Sequence, residues 1–564
     1  MGACCTTFER NSQLGVLGDV PHSVHHPDGG FIGRGGLGHK FENGPDVAPK
    51  PGDTVIIVGG GPAGIHMASL LKDKGVVPIV LEKEDRVGGK SYTIVRDGVP
   101  HEMGTCYIHP EYHVPKALFE KYGLTDSLVK PGGPNGDRDI FLNDTTIHKA
   151  KHFSSMDGWM YGAVEEQWAG ADYTLIPNKL SKLPMLQAMR RYQKVHREVM
   201  GAYHGTLPPR LSHKRQEMVN MTFHEFLKKH GCVALAPLLL AGHTAQGYGL
   251  LDTIPAFYGL MWFTADLVER FIDFKKDPAK AEPTLRMLKG GWASLWQKMK
   301  DQDKLDVRLG HQVLKVLRAD DGVTVSGVTS QGAAFQLQGT HVFLACPFPP
   351  LAPALTMTAK EQAIFRELKP FCLCTTLYEI DPHPDRTRVI CYWPDAMNPD
   401  NKDRVPGMLN CERWSAKSVY WSEQPPYAPP AQGNPFLAET AADVGSGVPA
   451  SGKQVRCGYQ FLDVDVWRDA DGKVDAAKLR TQLEETLSEQ GVTGVKILGQ
   501  WPWDYFFHFS KESLQKGLLW DIIAMQGANR TFYIGASASF ESINDVTNYN
   551  HMIMDHFFRP VSRL

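Results

Sequence analysis

The stretch Thr54-Val-Ile-Ile-Val-Gly-Gly-Gly-Pro-Ala-Gly64 decides the fold of this 564-residue chain. Thr54–Val58 is a continuous run of β-branched residues, the pattern of a strand buried on both faces. Gly59-x-Gly61-x-x-Gly64 follows, with Pro62 and Ala63 between the last two glycines, and His66–Lys74 is predicted as a helix. Gly59 permits a tight turn, Gly61 lets the backbone approach a pyrophosphate, and Gly64 lets helix and strand pack closely. The bare amides at the helix start face phosphate at the positive end of the dipole. Ile79-Val-Leu-Glu82 reads as the second strand, ending on an acid where a ribose acceptor belongs. Strand, glycines, helix, second strand and acid in this order predict a dinucleotide site; NAD and FAD share the layout.

The bulk of the chain sets limits. Its length allows two or three domains, and 42 % hydrophobic with 22 % charged residues is ordinary globular composition. A net charge of −2 gives no electrostatic case for nucleic acid. Ten cysteines without CxxC spacing predict buried thiols in a reducing compartment and no metal site. No apolar run reaches the roughly 18–20 residues of a membrane span. The most apolar stretch, Ala234–Phe263, is broken by His243, Asp252 and Pro255.

The amino terminus, Met-Gly-Ala-Cys-Cys-Thr6, matches the myristoylation pattern with Gly2 as acceptor. Cys4 and Cys5 stand where palmitoylation would add the second lipid that stable anchoring requires. The expectation is a cytoplasmic protein held peripherally on a membrane surface by these acyl groups. Residues 1–52 are rich in Gly, Pro and His without periodicity and read as a flexible tail. About 45 residues of such chain span about 35–40 Å if fully flexible.

The nucleotide-binding parts are expected to be separated in sequence, at 53–149, 286–352 and 500–564. In the second part, Val307–Leu317, Gly322–Val328 and Phe335–Gln338 read as meander strands, and His341–Pro347 as another buried strand. In the third, Thr531–Gly535 is a strand stopping at a glycine, and Asn544–Phe558 is a helix whose start faces the cofactor. A helical insert, 150–285, holds Leu183–Tyr203 and a helix over Thr222–His230 that Thr222 caps with Glu225 three residues on. A second sheet, 353–499, takes Cys372–Ile380, Arg388–Trp393 and Arg456–Leu462, with a Pro- and Gly-rich loop over 422–453. Tyr248, between two glycines, is a candidate for lining a cavity. Half of the aromatic run Trp501–Phe509 is expected to point inward.

Several stretches are more specific than the cofactor fold. They are Arg86-Val-Gly-Gly-Lys90, His101-Glu-Met-Gly104, Phe223-His-Glu-Phe-Leu227 and Thr244-Ala-Gln-Gly-Tyr-Gly249. Further on come Gln500-Trp-Pro-Trp-Asp-Tyr-Phe-Phe-His508, Met525-Gln-Gly527, Ser539-Phe540 and Asp545-Val546. On these the chain resembles the polyenoic (polyunsaturated) fatty acid isomerases, FAD enzymes within the flavin amine oxidase superfamily. The resemblance implies an α/β fold: an amine-oxidase-like, Rossmann-type FAD-binding domain with an inserted helical domain and a second-sheet substrate domain. It implies FAD held by Gly59, Gly61, Pro62, Ala63, Gly64, Glu82, Lys83, Gly88, Gly89, Lys90, Met103, Gly104, Val313, Gly535, Asp545 and Val546. It further implies a free polyunsaturated fatty acid as substrate, its double bonds moved into conjugation by hydride transfer to flavin N5 and back. No acid–base residue is required for that, and none is singled out as catalytic. In the family an arginine holds the fatty carboxylate and an aromatic closes the pocket; these align with Arg138, beside Asp139, and Phe271. One departure stands out. Amine oxidases follow the final strand with Gly-Glu, whereas this chain has Gly535-Ala536-Ser537 and offers Asn544-Asp545 as a displaced acid. Competing readings are an amine or polyamine oxidase, a desaturase-like dehydrogenase, and a membrane-tethered lipid-binding flavoprotein without turnover.

Overall fold

The computed structural model describes residues 41–96, 99–109, 112–129, 140–143, 152–153, 182–201, 203, 209–276, 286–383, 390–393, 396–401, 404–405, 407–414, 452–462, 467 and 474–558. Gly2, Cys4, Cys5, Arg138, Asp139 and nearly all of the 422–453 loop lie outside them.

A five-stranded parallel sheet carries the nucleotide site. Its order is Asp306–Arg308, Val77–Leu81, Thr54–Val58, His341–Leu344 and Thr531–Tyr533. His341–Leu344 and Thr531–Tyr533 are buried throughout, as is Thr54–Val58 beyond its first residue, because helices and other layers cover both faces. The helix after the glycines runs Pro62–Asp73, starting four residues before the predicted His66. Proline is pre-set for the first helical position and lacks an amide that would go unpaired there anyway. Val307–Leu317 is not one strand. Gly310, at φ +64°, breaks it, so Asp306–Arg308 joins the parallel sheet and His311–Ala319 starts the meander. Gly322–Thr329 and Ala334–Gly339 complete that meander.

The second sheet has seven strands, in the order Lys496–His508, Lys369–Ile380, Gln454–Leu462, Leu409–Arg413, Ile390–Tyr392, Ile140–Asn143 and His152–Phe153. It reaches across the expected boundaries. Lys496–His508, with the aromatic run, pairs with Lys369–Ile380, and Ile140–Asn143 pairs parallel to Ile390–Tyr392. Strand pairing between remote segments leaves no mark in local periodicity. The helical layer includes Lys182–Met200, Phe223–Lys229, Ala236–Gly242, Ala256–Trp262 and Ala265–Lys276. Thr222 and Glu225 form the reciprocal capping box that their spacing predicts.

A buried ion pair ties the meander to the nucleotide sheet. Arg318 meets Glu361 at 2.5 and 3.0 Å, and Glu361 also accepts from Tyr533 Oη at 2.5 Å and from the Thr358 amide at 2.7 Å. Removing one partner strands the other charge without water. Glu361→Ala is expected to cost about 3–5 kcal/mol, read as a lower thermal midpoint, while Glu225→Ala at an exposed cap costs about 1 kcal/mol.

Candidate active site

The glycine loop is built by close backbone approach. A Cβ on Gly64 would lie 1.9 Å from the Gly59 carbonyl oxygen, and one on Gly59, at φ +112°, would lie 3.0 Å from that of Ala345. No side chain fits either position. Glu82, nearly buried, accepts from the Gly60 amide at 2.6 Å and the Glu84 amide at 2.9 Å. Burial raises its pKa, while the two amides and Arg86 favour the carboxylate. The second glycine pair closes on the first. Gly88 donates to Gly60 O at 2.9 Å, and a Cβ on Gly89 would stand 3.2 Å from Gly61 Cα. Arg86 fastens this contact by donating to Gly89 O at 2.8 Å while stacking on Tyr92 at 3.7 Å. Lys83 turns outward toward Glu84, 3.6 Å away. Val313 is half-buried opposite Gly327, beside a register shift in the meander.

A second group of expected residues gathers where the carboxyl-terminal segment meets the Lys90–Gly104 region. A Cβ on Gly104 would collide with Lys90 O at 1.9 Å, and buried Met103 gives its carbonyl to Trp503 Nε1 at 2.7 Å. Gly535 is at φ +92°, and a Cβ on it would lie 3.5 Å from Ala63 Cβ. The helix Ile543–Phe557 begins on the Ser542 cap, which accepts from the Asp545 amide at 3.0 Å and bonds the Asp545 carboxylate. Burial pushes Asp545 up to about 7. Val546 is buried beside it.

The sequence reading missed Glu541. Its carboxylate pairs with Lys90 Nζ at 2.7 Å and accepts from the Phe506 amide at 2.9 Å. It therefore ties the second glycine motif, the aromatic strand and the carboxyl-terminal helix together. An acid one residue before a serine cap was the available signal, and Asn544-Asp545 drew attention away from it.

Beside these residues lies a packed cluster of rings. Tyr248 is 5.2 Å from Phe540, 6.1 Å from Phe506 and Trp262, and 6.4 Å from Tyr505 between ring centres. Burial pushes His243, 6.0 Å from Tyr248, down to about 3 and holds the Tyr248 and Tyr505 phenols well above their ordinary range, so all three are neutral. Phe271 is half-buried on Ala265–Lys276 and reaches this cluster through Phe263 and Trp262, at 6.4 and 6.0 Å. A cavity between sheet and insert is lined by Gly104, Tyr107, Gln246, Leu373, Arg413 and Tyr459, among others. Among the described residues, no group of His, Cys, Asp and Glu side chains is arranged to hold a metal ion, and no helix is long and apolar enough to cross a membrane.

The site fits a dinucleotide. The loop leaves backbone amides bare where a Cβ would intrude, Glu82 presents a fixed carboxylate, and the buried Ser537 hydroxyl after Gly535 has no partner among the described residues. These features define a dinucleotide-binding protein of the α/β class. The family model described as flavin containing amine oxidoreductase matches residues 62–448, and the chain belongs to that family; its cofactor is FAD. A polyenoic fatty acid isomerase of Ptilota filicina is 22 % identical over 286 residues, which are 49 % of this chain and 52 % of that protein. A flavin-containing amine oxidase of Oncorhynchus mykiss is 44 % identical over 57 residues, 10 % of this chain and 11 % of that one. The chain thus spans about half or less of the length of these curated relatives. Among solved structures, a CLA-producing fatty acid isomerase from P. acnes superposes with a TM-score of 0.67 at 18 % identity, covering 91 % of this chain and all of that one. A putrescine oxidase gives 0.58 at 14 % identity, covering 89 % and 97 %.

Two outcomes follow. Gly64→Val is expected to fold without retaining flavin, seen as loss of the visible flavin band relative to protein absorbance. Glu102, hydrogen-bonded to Thr93 Oγ1 and the Trp292 amide, is pushed up to about 7 by burial. It stays protonated in the fold after the unfolded chain has ionised, so its contribution is full below about pH 4.5 and lost by about pH 7. Wild-type stability is therefore expected to fall relative to Glu102→Gln between those limits, at up to about 1.4 kcal/mol per pH unit, measured as thermal midpoints.

Proposed function

We propose that this chain is an FAD-dependent isomerase that moves double bonds of polyunsaturated fatty acids into conjugation. The observation that carries this reading is a buried cluster of neutral aromatic rings beside the cofactor residues, whose neighbouring carboxylates are held by other protein groups. Glu541 is committed to Lys90, Glu412 to Arg456, and Glu102 to Thr93 and a backbone amide. An amine oxidase has to receive a cation. The rings themselves are neutral, and Asp545, another acid near Tyr248, is hydrogen-bonded to Ser542.

Bound FAD supplies reversible two-electron chemistry, taking hydride from an activated C–H bond and giving it back. A methylene between two alkenes is such a bond, because the positive charge left behind spreads along the pentadienyl system. The rings of Tyr248, Trp262, Tyr505 and Phe506 give that charge π faces in place of water. Tyr248, Tyr505 and Phe506 are buried and Trp262 half-buried, which keeps out water that would trap it. Gly247 and Gly249, at φ +86° and +115°, fix Tyr248 in a turn packed against Tyr505, Leu373 and Ile254, which orients the cluster. The Lys90–Glu541 pair holds that cluster against the glycine motif. Arg138, Phe271 and Tyr248 remain the proposed substrate contacts, and acyl groups on Gly2, Cys4 and Cys5 the proposed membrane tether. Gly2→Ala is expected to release the protein from the membrane fraction.

The test is anaerobic incubation of the FAD-loaded protein with linoleic, linolenic and arachidonic acids, following ultraviolet absorbance of conjugated dienes or trienes. Growth of that absorbance without peroxide and without lasting flavin bleaching is expected. A flavin that bleaches and recovers only with oxygen means an oxidase or dehydrogenase. No change in either signal sinks the isomerase reading.

A further inference from the structure

We infer that the exposed face of the helical insert is a docking surface for an anionic lipid bilayer; this rests on neither the cofactor nor the isomerase reading. Between Lys182 and Gly231 the sequence places ten Lys and Arg against three Glu and no Asp, an excess of seven positive charges in a chain whose net charge is −2. The helix Lys182–Met200 sorts its charges to one side. Met185, Met189, Tyr192, Val195, His196 and Val199 are buried. Arg190, Lys194 and Arg197, spaced i, i+4 and i+7, stand exposed in one row.

Neighbouring elements extend the row. Arg191 Nη1 donates to Gly231 O at 3.3 Å, which brings the end of Phe223–Lys229, with exposed Lys229, alongside. Arg215 Nη1 lies 3.9 Å from where a Cβ on Gly201 would stand. That contact sets the short helix His213–Met218, with exposed Lys214 and Arg215, just past the end of the row. Glu198 is the one acid on the long helix itself. The other acids nearby are engaged: Glu225 caps its helix at Thr222, Glu217 faces His213 at 3.4 Å, and Asp400 takes Lys228 at 2.8 Å. Among the described residues no carboxylate forms an ion pair with Arg190, Lys194, Arg197, Lys214, Arg215 or Lys229. Fixed charges of one sign repel one another, and a partner that presents a plane of negative charge relieves that repulsion.

Two observations choose a bilayer as that partner. Among the described residues of 182–231 no Phe, Tyr or Trp is exposed, so the face offers no platform on which a nucleic acid base stacks. The chain also enters the fold close by. The Glu42 amide donates to Ala524 O at 2.8 Å, at the end of the helix Leu518–Ala524. At the start of that helix a Cβ on Gly517 would stand 3.5 Å from Arg210 Nη2, three residues before His213–Met218. A helix of this length covers about 10 Å. The forty residues before Phe41, with the acylation pattern at Gly2, therefore join the described fold one short helix from the basic face. A lone myristoyl chain holds a membrane marginally, and a basic surface is a second signal that makes the hold stable. Docking in this way also orients the site. Tyr192, on the buried side of the basic helix, donates its hydroxyl to Phe263 O at 2.7 Å, beside Trp262, so the ring cluster lies one helix layer behind the lipid surface.

The test uses the full FAD-loaded chain carrying Gly2→Ala, Cys4→Ser and Cys5→Ser, so that no acyl group contributes, and sediments it with vesicles. Phosphatidylcholine vesicles are compared with vesicles holding about 30 % phosphatidylserine, at about 50 mM and about 0.5 M salt. Binding to the anionic vesicles is expected to be at least about tenfold tighter than to the neutral ones at low salt, and to be lost at high salt. Arg190→Gln, Lys194→Gln and Arg197→Gln together are expected to weaken it about 100-fold, at about fivefold per charge, with flavin content and thermal midpoint unchanged. Lys74→Gln, Lys315→Gln and Lys496→Gln remove the same charge from exposed positions elsewhere. Together they are expected to change it by less than about threefold. No binding, equal binding to both vesicles, persistence at high salt or undiminished affinity in the helix variant each overturns the proposal. Equal losses in the two triple variants also overturn it, because the attraction is then one of overall charge. Should the helix variant fail to fold, Lys214→Gln, Arg215→Gln and Lys229→Gln together carry the same expectation. Duplex DNA or polyglutamate bound more tightly than the anionic vesicles at the same salt overturns the bilayer in favour of a nucleic acid or an acidic protein.

Discussion

Two backbone turns, Gly59–Gly64 and Gly88–Gly89, lie so close that no side chain passes between them, and the rest of the site is arranged around that contact. Gly88 donates to Gly60, Gly89 abuts Gly61, and Glu82 reaches Gly60 from the neighbouring strand. The amides left bare on that surface are the ones a pyrophosphate needs. The contact also fixes the start of the segment that runs through Lys90 to Gly104. Lys90 in turn fixes Glu541, and Glu541 fixes the aromatic strand through the Phe506 amide. A steric constraint among glycines is thereby transmitted by one ion pair to the aromatic strand.

What could be read from sequence follows from how local each feature is. The strand, glycines and helix of 54–73 lie within one short segment, and each residue type there has a conformational reason to be present. The Thr222–Glu225 box was legible for the same cause. Glu541 was not, because its meaning depends on Lys90, 451 positions away. The reach of the second sheet was hidden likewise: Ile140–Asn143 has the look of any short apolar strand, and its partner Ile390–Tyr392 comes far later in the chain. Break points also eluded periodicity. Gly310 splits a continuous apolar run into strands of two different sheets, which a window average smooths over.

Arg413 was illegible for a further reason. Leu409, Cys411 and Arg413 share one face of the strand and Asn410 and Glu412 the other, so local pattern puts a charge on each face and marks neither as functional. The structure buries all of Leu409–Arg413 on both faces.

The two charges on that strand are held in different ways. Glu412 is fully buried with Arg456 Nε at 2.8 Å and the Tyr378 hydroxyl against it, so each charge answers the other and the pair can be structural. Arg413, one residue on, has hydroxyl, thiol and carbonyl partners that stabilise an N–H without neutralising a charge. Burying a paired charge is nearly neutral in free energy; burying an unpaired one is costly. Glu102 couples to the Arg413 charge. Glu412 also borders the cavity that Arg413 lines, so the carboxylate that answers Arg456 stands at the same space as the neighbouring guanidinium.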